Sequence, residues 1–313
     1  MEKPALSDTS PSAIEPDAPD APRRRPRREP GAPPAPQEPI ATRSIALVLA
    51  DGATLPFEVA DGLTDPPRFC LGVRKSGSTM LNRIIQQLAR RNRYHTVDIP
   101  GTFFRNGYRV QHWEQADLSP LIGPGNVYVG FRNFPKNLQD APVFREAKKV
   151  FMFRDPRDAL VSQYFSDAYS HTLPTKNTEQ GKKGAAEFEN KRKEALETEI
   201  DDYVLKHARG MGSTMLAYAP MLDDPTCLQL RYEEYIFQKR RLIYKTLQHF
   251  DWKAMPGQVD AVLKLVDEVP ATEDKTRFVR RVIPGDHRNK LKPETIARVN
   301  NILRECMHVF DYY

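Results

Sequence analysis

The 313-residue sequence predicts an α/β fold, a parallel β-sheet flanked by helices on both faces. Three observations lead there. From Phe69 onward, short apolar runs alternate with amphipathic stretches at roughly 20 to 30 residues per unit, the rhythm of strand, helix, strand. The runs are apolar throughout rather than at every second position, as strands buried on both faces are. Two of them end in a turn that leads directly into a helix, one rich in glycine and serine after Leu71, the other beginning with arginine after Phe153.

Composition sets the outer bounds. Hydrophobic residues make up 40% of the chain, ample for a packed core, but they are unevenly spread. Residues 1–41 hold 11 of the 27 prolines and set six cations against seven carboxylates. Residues 1–43 are therefore expected to be a disordered Pro/Arg-rich tail ahead of one domain over 44–313. Arg23, Arg24, Arg25, Arg27 and Arg28 have no apolar stretch close behind them, so they do not read as an export signal. The whole chain carries a net charge of +6, and since residues 1–41 contribute −1 the rest carries about +7, which suits an anionic ligand. No run approaches the roughly 18 apolar residues of a membrane span. Cys70, Cys227 and Cys306 form neither a CxxC pair nor a zinc pattern. A soluble, cytoplasmic protein with free thiols is expected.

In chain order, two apolar runs around Asp51-Gly52 predict a β-hairpin over 44–60, outside the main sheet. Main-sheet strands are expected at 68–73, 94–97, 127–131, 149–153 and 227–230. Helices are expected at 79–91, 158–169, 189–222 with a break near Gly210-Met211-Gly212, 235–249, 257–267 and 293–308. Residues 170–186 are polar and basic without apolar periodicity, which predicts a mobile loop able to lie over the active cleft or to be a bland surface insertion.

The first turn carries chemistry. In FCLGVRKSGSTM, residues 69–80, a strand gives way to a small-residue loop and then to a helix with Leu81, Ile84, Ile85 and Leu88 on one face. Such a loop points successive backbone N–H groups and a helix N-terminus at one anion. Gly72 and Gly77 have the spacing of the nucleotide-triphosphate loop, yet Ser78 stands where that loop places lysine, and Lys75 lies two residues before Gly77.

This arrangement resembles the 5′-phosphosulfate loop, P-K-S-G-T-T-W, of the sulfotransferases that use 3′-phosphoadenylyl sulfate (PAPS). The segment RDPRDALVSQY, residues 154–164, is similar to the family's 3′-phosphate segment R-[ND]-P-[KR]-D-x-x-V-S-x-Y. RRVIPGDHRN, residues 280–289, is similar to R-K-G-x-x-G-D-W-K-N, with Val282 in place of glycine and His287 in place of tryptophan. LRYEE, residues 230–234, looks like L-x-Y-E-D-L. The matches run from Phe69 to Asn289 in the family's order. They imply the P-loop-like three-layer sulfotransferase architecture, with PAPS as co-substrate, an acceptor hydroxyl as second substrate, and no metal or nucleic acid.

The resemblance also assigns roles. Lys75 would meet charge on the leaving group, with Arg74, Ser76, Gly77, Ser78 and Thr79 around the 5′-phosphate. Arg154 and Ser162 would grip the 3′-phosphate, Arg280 and Arg281 would close over it, and Tyr232 would lie beside adenine. Met80 replaces the family's adenine-contacting tryptophan. Where the small-molecule branch has a histidine base, 22 residues before the 3′-phosphate arginine, this chain has Arg132, which cannot be a base but could hold an anionic acceptor or the sulfuryl oxygens. Another branch places a carboxylate just after the second strand, a position matching Asp98. Asp98 is thus the expected general base, against the simpler reading that it caps the turn before Pro100. His95 is the reserve, and His112 and His171 are looser candidates. The acceptor is expected to be a carbohydrate, glycolipid or small alcohol. The rival readings are a P-loop kinase or nucleotide hydrolase, and a non-catalytic polyanion-binding protein.

Overall fold

A computed structural model describes residues 39–313 apart from Lys176. The expected tail lies outside the described residues except at its end, where Thr42 and Arg43 already belong to the first strand. That strand, β1 (Thr42–Val48), pairs antiparallel with β2 (Thr54–Ala60). Gly52 turns the chain at φ 81°, a left-handed conformation that glycine adopts without strain. The Asp51 carboxylate accepts from the Ala53 N–H at 3.0 Å. The hairpin buries Leu47, Leu55, Phe57 and Val59.

The main sheet comprises β3 (Arg68–Gly72), β4 (His95–Val97), β5 (Asn126–Phe131), β6 (Lys148–Phe153) and β7 (Cys227–Arg231), all parallel, in the order β4-β5-β3-β6-β7. From β3 the chain runs to the edge strand β4, returns to β5 beside β3, and then crosses to β6 and β7 on the other side. The crevice at the carboxyl ends of β3 and β6 is therefore the switch point where open α/β sheets bind ligands. Strand alternation sends side chains to two faces. Phe69, Leu71, Phe151 and Phe153 enter one core, and Cys70, Val150 and Met152 the other. The second core is closed by α1 (Ser78–Arg91), whose Leu81, Ile84, Ile85 and Leu88 are all fully buried, as their spacing predicts.

Three short helices carry too little periodicity to be read from sequence: α2 (Ile99–Arg105), α3 (Val110–Gln115) and α4 (Pro142–Glu146). The next helix, α5 (Pro156–Phe165), starts two residues before its expected position because proline suits a first helical turn, and it ends in a single π turn, Ser166–Ser170.

The region 170–222 departs most from expectation. It holds α6 (Glu179–Glu197) and α7 (Ile200–Leu216), broken at Thr198 and Glu199, whose backbones are extended, and not at the glycines. Gly210 and Gly212 lie inside α7, and a Cβ on Gly212 would come 3.0 Å from the Leu303 side chain, so glycine lets a neighbouring segment approach. The expected loop is helical from Glu179. Its packing surface is glycine: a Cβ on Gly184 would sit 2.8 Å from the Gly107 Cα, a contact that leaves no apolar stripe to read.

After β7 come α8 (Tyr232–Tyr235), α9 (Lys239–Phe250), α10 (Pro256–Val266), α11 (His287–Lys290), α12 (Pro293–Ile302) and α13 (Arg304–Val309). The expected helices over 235–249 and 293–308 are thus each adjoined or interrupted by a break, at residues 236–238 and at Leu303. Cys70, Cys227 and Cys306 are free thiols. Among the described residues no helix is long and apolar enough to cross a membrane.

Candidate active site

Sheet register builds the site. Gly72 pairs with Met152, and Phe153 with Arg231, so the turns after β3, β6 and β7 emerge side by side. The turn after β3 is held from within: the Ser76 hydroxyl donates to the Val73 carbonyl at 2.6 Å and lies 3.0 Å from the Met152 carbonyl. The buried Ser76 side chain therefore serves the loop's shape. Lys75 and Gly77 both take left-handed backbone, at φ 65° and 85°. For lysine this conformation is strained by about 1 kcal/mol, the kind of local strain that collects at functional sites. Gly77 caps α1 with no side chain bonded over it, so the first amides of that 14-residue helix, at Ser78 and Thr79, are available to an anion.

Cations gather around this cradle. Arg132, at the end of β5, donates to the hydroxyls of Ser78 at 3.4 Å and Thr79 at 3.2 Å, which places it against the helix N-terminus. Among the described residues no ion pair joins Arg74, Lys75 or Arg132 to a carboxylate. Burial lowers the Lys75 ammonium pKa to about 8; Asp167 opposes the shift, while Arg132, Arg154 and Arg74 add to it. Asp167, which accepts from the Tyr203 hydroxyl at 2.5 Å, is a neighbour of the site that no sequence motif signals.

Arg154 follows β6 and is buried. Its guanidinium lies 3.5 Å from the Lys75 carbonyl, 3.4 Å from the Asp158 carboxylate and 3.4 Å from the Ile283 carbonyl. It stacks 4.4 Å from the Tyr232 ring centre, and among the described residues its Nε has no hydrogen-bond partner. Asp158 and Ser162 continue the same face of α5 at successive intervals of four residues. Asp158 also accepts from the backbone N–H groups of Gly285 (2.7 Å) and His287 (3.0 Å) and from the His287 ring (2.7 Å). Burial alone would raise its pKa, but the bonds from His287 and the nearby Arg154 charge hold it at about 2. The 280–287 loop is in this way moored to the start of α5, with His287 as its buried anchor.

Tyr232 is buried beneath Arg154 and against the first turn, where a Cβ on Gly77 would come within 2.9 Å of its ring. It forms an apolar cluster with Ile236, Val282, Val279 and Met80. Met80 and Val282, two of the departures from the family pattern, therefore belong to the same apolar cluster. Arg280 and Arg281 lie farther along the loop, paired with Glu273 and Asp286.

Asp98 sits at the carboxyl end of β4 and caps α2: its carboxylate accepts from the Gly101 N–H at 2.9 Å and pairs with Arg105 at 3.2 Å. Glycines make room for it, since a Cβ on Gly130 would lie 2.1 Å from its Oδ1. Arg132 feels its charge. His95 bonds the Glu58 carbonyl of the hairpin at 3.0 Å. His112 serves the start of α3, accepting from the Arg109 N–H at 3.0 Å. His171 stacks on Phe188 at 4.8 Å and holds the Thr172 carbonyl through Nδ1 at 2.7 Å. Burial lowers its pKa; Asp167 opposes the shift, and Lys75 and Arg132 reinforce it. Its imidazole thus lies within electrostatic reach of the cradle.

A family model described as "Sulfotransferase domain" matches residues 65–311. No curated protein sequence matches the chain. Among solved structures, mouse sulfotransferase SULT7A1 complexed with PAP superposes with a TM-score of 0.52 at 14% identity, covering 80% of this chain and 89% of that one. Retinol dehydratase in complex with retinol and PAP matches at 15% identity and a TM-score of 0.42, over 86% and 91% of the two chains. The sulfotransferase domain of the Synechococcus PCC 7002 olefin synthase matches at 13% identity and 0.34, over 81% and 97%.

Proposed function

The chain belongs to the sulfotransferase family and is a sulfotransferase; from that premise we propose that its donor is PAPS, gripped at the 5′ end by the turn after β3 and at the 3′ end by Arg154, and that its acceptor is a hydroxyl. The observation that carries this reading is the approach of Arg154 to within 3.5 Å of the Lys75 carbonyl at the sheet's switch point, which supports the two turns serving one ligand. The mouse neighbour with the same fold is complexed with PAP, the product such a donor leaves.

In the proposed reaction an acceptor oxygen attacks sulfur in line while the bond from sulfur to the bridging oxygen breaks, releasing 3′,5′-adenosine bisphosphate. Lys75 neutralises charge on that oxygen, and the amides and hydroxyls of Ser78 and Thr79, with Gly77 and Arg74 beside them, hold the 5′-phosphate. Arg132, bonded to the same two hydroxyls, is suited to the sulfuryl oxygens. Positioning and electrostatics supply most of the acceleration, as in loose phosphoryl transfer. Arg154 and Ser162 hold the 3′-phosphate, and Arg280 and Arg281 close over it. Tyr232, only 5% exposed, braces Arg154 and borders the apolar cluster on which adenine rests.

Asp98 takes the acceptor proton in this reading. Its second task as the cap of α2 fixes the carboxylate in place. A carboxylate base within a cationic cleft suits a hydroxyl of a carbohydrate, glycolipid or small alcohol. Incubation with sulfur-labelled PAPS and an acceptor panel, with and without EDTA, tests the class: transfer of label that survives EDTA is expected, whereas phosphoryl transfer from ATP that requires magnesium would favour a P-loop kinase.

A further inference from the structure

The cations of the loop that closes the cleft converge on one side chain. Glu273 receives Arg280 on one carboxylate oxygen, and on the other Arg281 at 3.3 Å and Lys290 at 2.7 Å. Asp286 shares the two arginines, at 2.5 Å and 3.5 Å. Burial alone would raise the Glu273 pKa, but Lys290 and Arg280 hold it at about 2. The cluster leans on the end of α5: the Arg280 guanidinium lies 4.1 Å over the Phe165 ring, with Lys290 5.6 Å away from the same ring. Phe165 is three residues beyond Ser162, one helical turn. The same loop is moored to Asp158 and touches Arg154 through the Ile283 carbonyl.

Three cations against Glu273 and Asp286 leave one positive charge over. A phosphate dianion in place of the Glu273 carboxylate would make the cluster neutral, and its oxygens would accept from the same guanidinium forks. We propose that Glu273 is an internal stand-in for the donor's 3′-phosphate, bound by Arg280, Arg281 and Lys290 until the nucleotide displaces it. The inference rests on the reading that the cleft binds a 3′-phosphorylated adenine nucleotide. It adds that donor affinity is set by a competition which Glu273 loses when the donor binds, so Glu273 lowers affinity for nucleotides carrying a 3′-phosphate and for no others.

Titration calorimetry with 3′,5′-adenosine bisphosphate and with 5′-AMP, on the wild type and on Glu273→Gln, tests it. The substitution removes the competing charge and keeps the side chain's shape. Binding of the bisphosphate should tighten by about tenfold, the scale of one charge-assisted bond, with 5′-AMP binding unchanged. Glu273→Asp, which retracts the carboxylate by one methylene, should tighten it less. Bisphosphate binding that is equal or weaker in Glu273→Gln, or that tightens equally for 5′-AMP, would overturn the stand-in role while leaving the nucleotide site intact. A wild type that binds neither ligand in preference would remove the underlying reading, and the stand-in with it.

Discussion

The guanidinium of Arg154 reaches within 3.5 Å of the carbonyl oxygen of Lys75, joining the turn after β6 to the turn after β3. Neither residue is near the other in sequence. The parallel register of β3 with β6 brings both turns to the same edge of the sheet, and Tyr232 beneath the guanidinium fixes its height. The two turns that carry these cations thus adjoin at the carboxyl edge of the sheet.

If Lys75 acts in the proposed reaction, it sets an alkaline limit. Burial, with Arg132, Arg154 and Arg74 nearby, lowers its pKa to about 8 in the free protein, so the ammonium is lost as pH rises through that value. A plot of kcat/KM for the donor against pH should fall above pH ~8, because this quantity reports free-enzyme ionisations. The corresponding limb of kcat should lie higher, since the bound donor's negative charge favours the ammonium. In Lys75→Arg the limb near 8 should vanish, at a lower maximal rate.

Gly77→Ala should deform the cradle. Alanine at φ 85° is strained by about 1–2 kcal/mol, and its Cβ would press to 2.9 Å from the Tyr232 ring. Thermal unfolding should show a lowered Tm, and nucleotide affinity should fall as the first turn and Tyr232 separate.

Asp98→Asn separates the observed capping of α2 from the proposed role as base. Asparagine caps a helix about as well as aspartate, so the Gly101 bond can persist and stability should change by less than about 1 kcal/mol. The charge needed by a base is gone. Turnover should drop by about 100-fold or more with bisphosphate affinity nearly unchanged. Near-normal turnover would instead direct attention to His171, whose imidazole pKa is lowered by burial, with Lys75 adding to the shift.

Asp158 is a stability determinant. It holds two backbone N–H groups and the His287 ring of the closing loop, and Asp158→Asn should cost about 2–4 kcal/mol in chemical unfolding at neutral pH. Its folded pKa, about 2, lies below the ordinary 3.8. It therefore contributes stability above pH ~4 that is lost as pH falls towards 2. The variant should show a shallower acid decline over that interval.

The sheet and α1 were legible because their signals are local: unbroken apolar runs mark buried strands, and Leu81, Ile84, Ile85 and Leu88 recur at helical spacing. The turn segments were legible as motifs for the same reason, with Arg154 just after β6 and Asp158 and Ser162 following at intervals of four residues on α5. What escaped depends on distant chain. The glycines that pack α6 on the turn at Gly107 look like loop residues until their partner is in place. Asp167 acts on Lys75 only because the π turn returns it to the cleft. His287 looked like a lost tryptophan, but it is the ring that anchors the loop to Asp158. Arg281 and Glu273 are eight residues apart and outside any helix, so no periodicity announces their pairing.

In the proposed site Arg154 reads the 3′-phosphate of the same nucleotide whose 5′ end lies on the Lys75 turn. Affinities for 3′,5′-adenosine bisphosphate and 5′-AMP, measured on the wild type and on folded Arg154→Gln, test it most directly. The account predicts that the wild type prefers the bisphosphate by about 100-fold and that the variant loses most of this preference while holding 5′-AMP as before. A variant that still distinguishes the two ligands as the wild type does would contradict it.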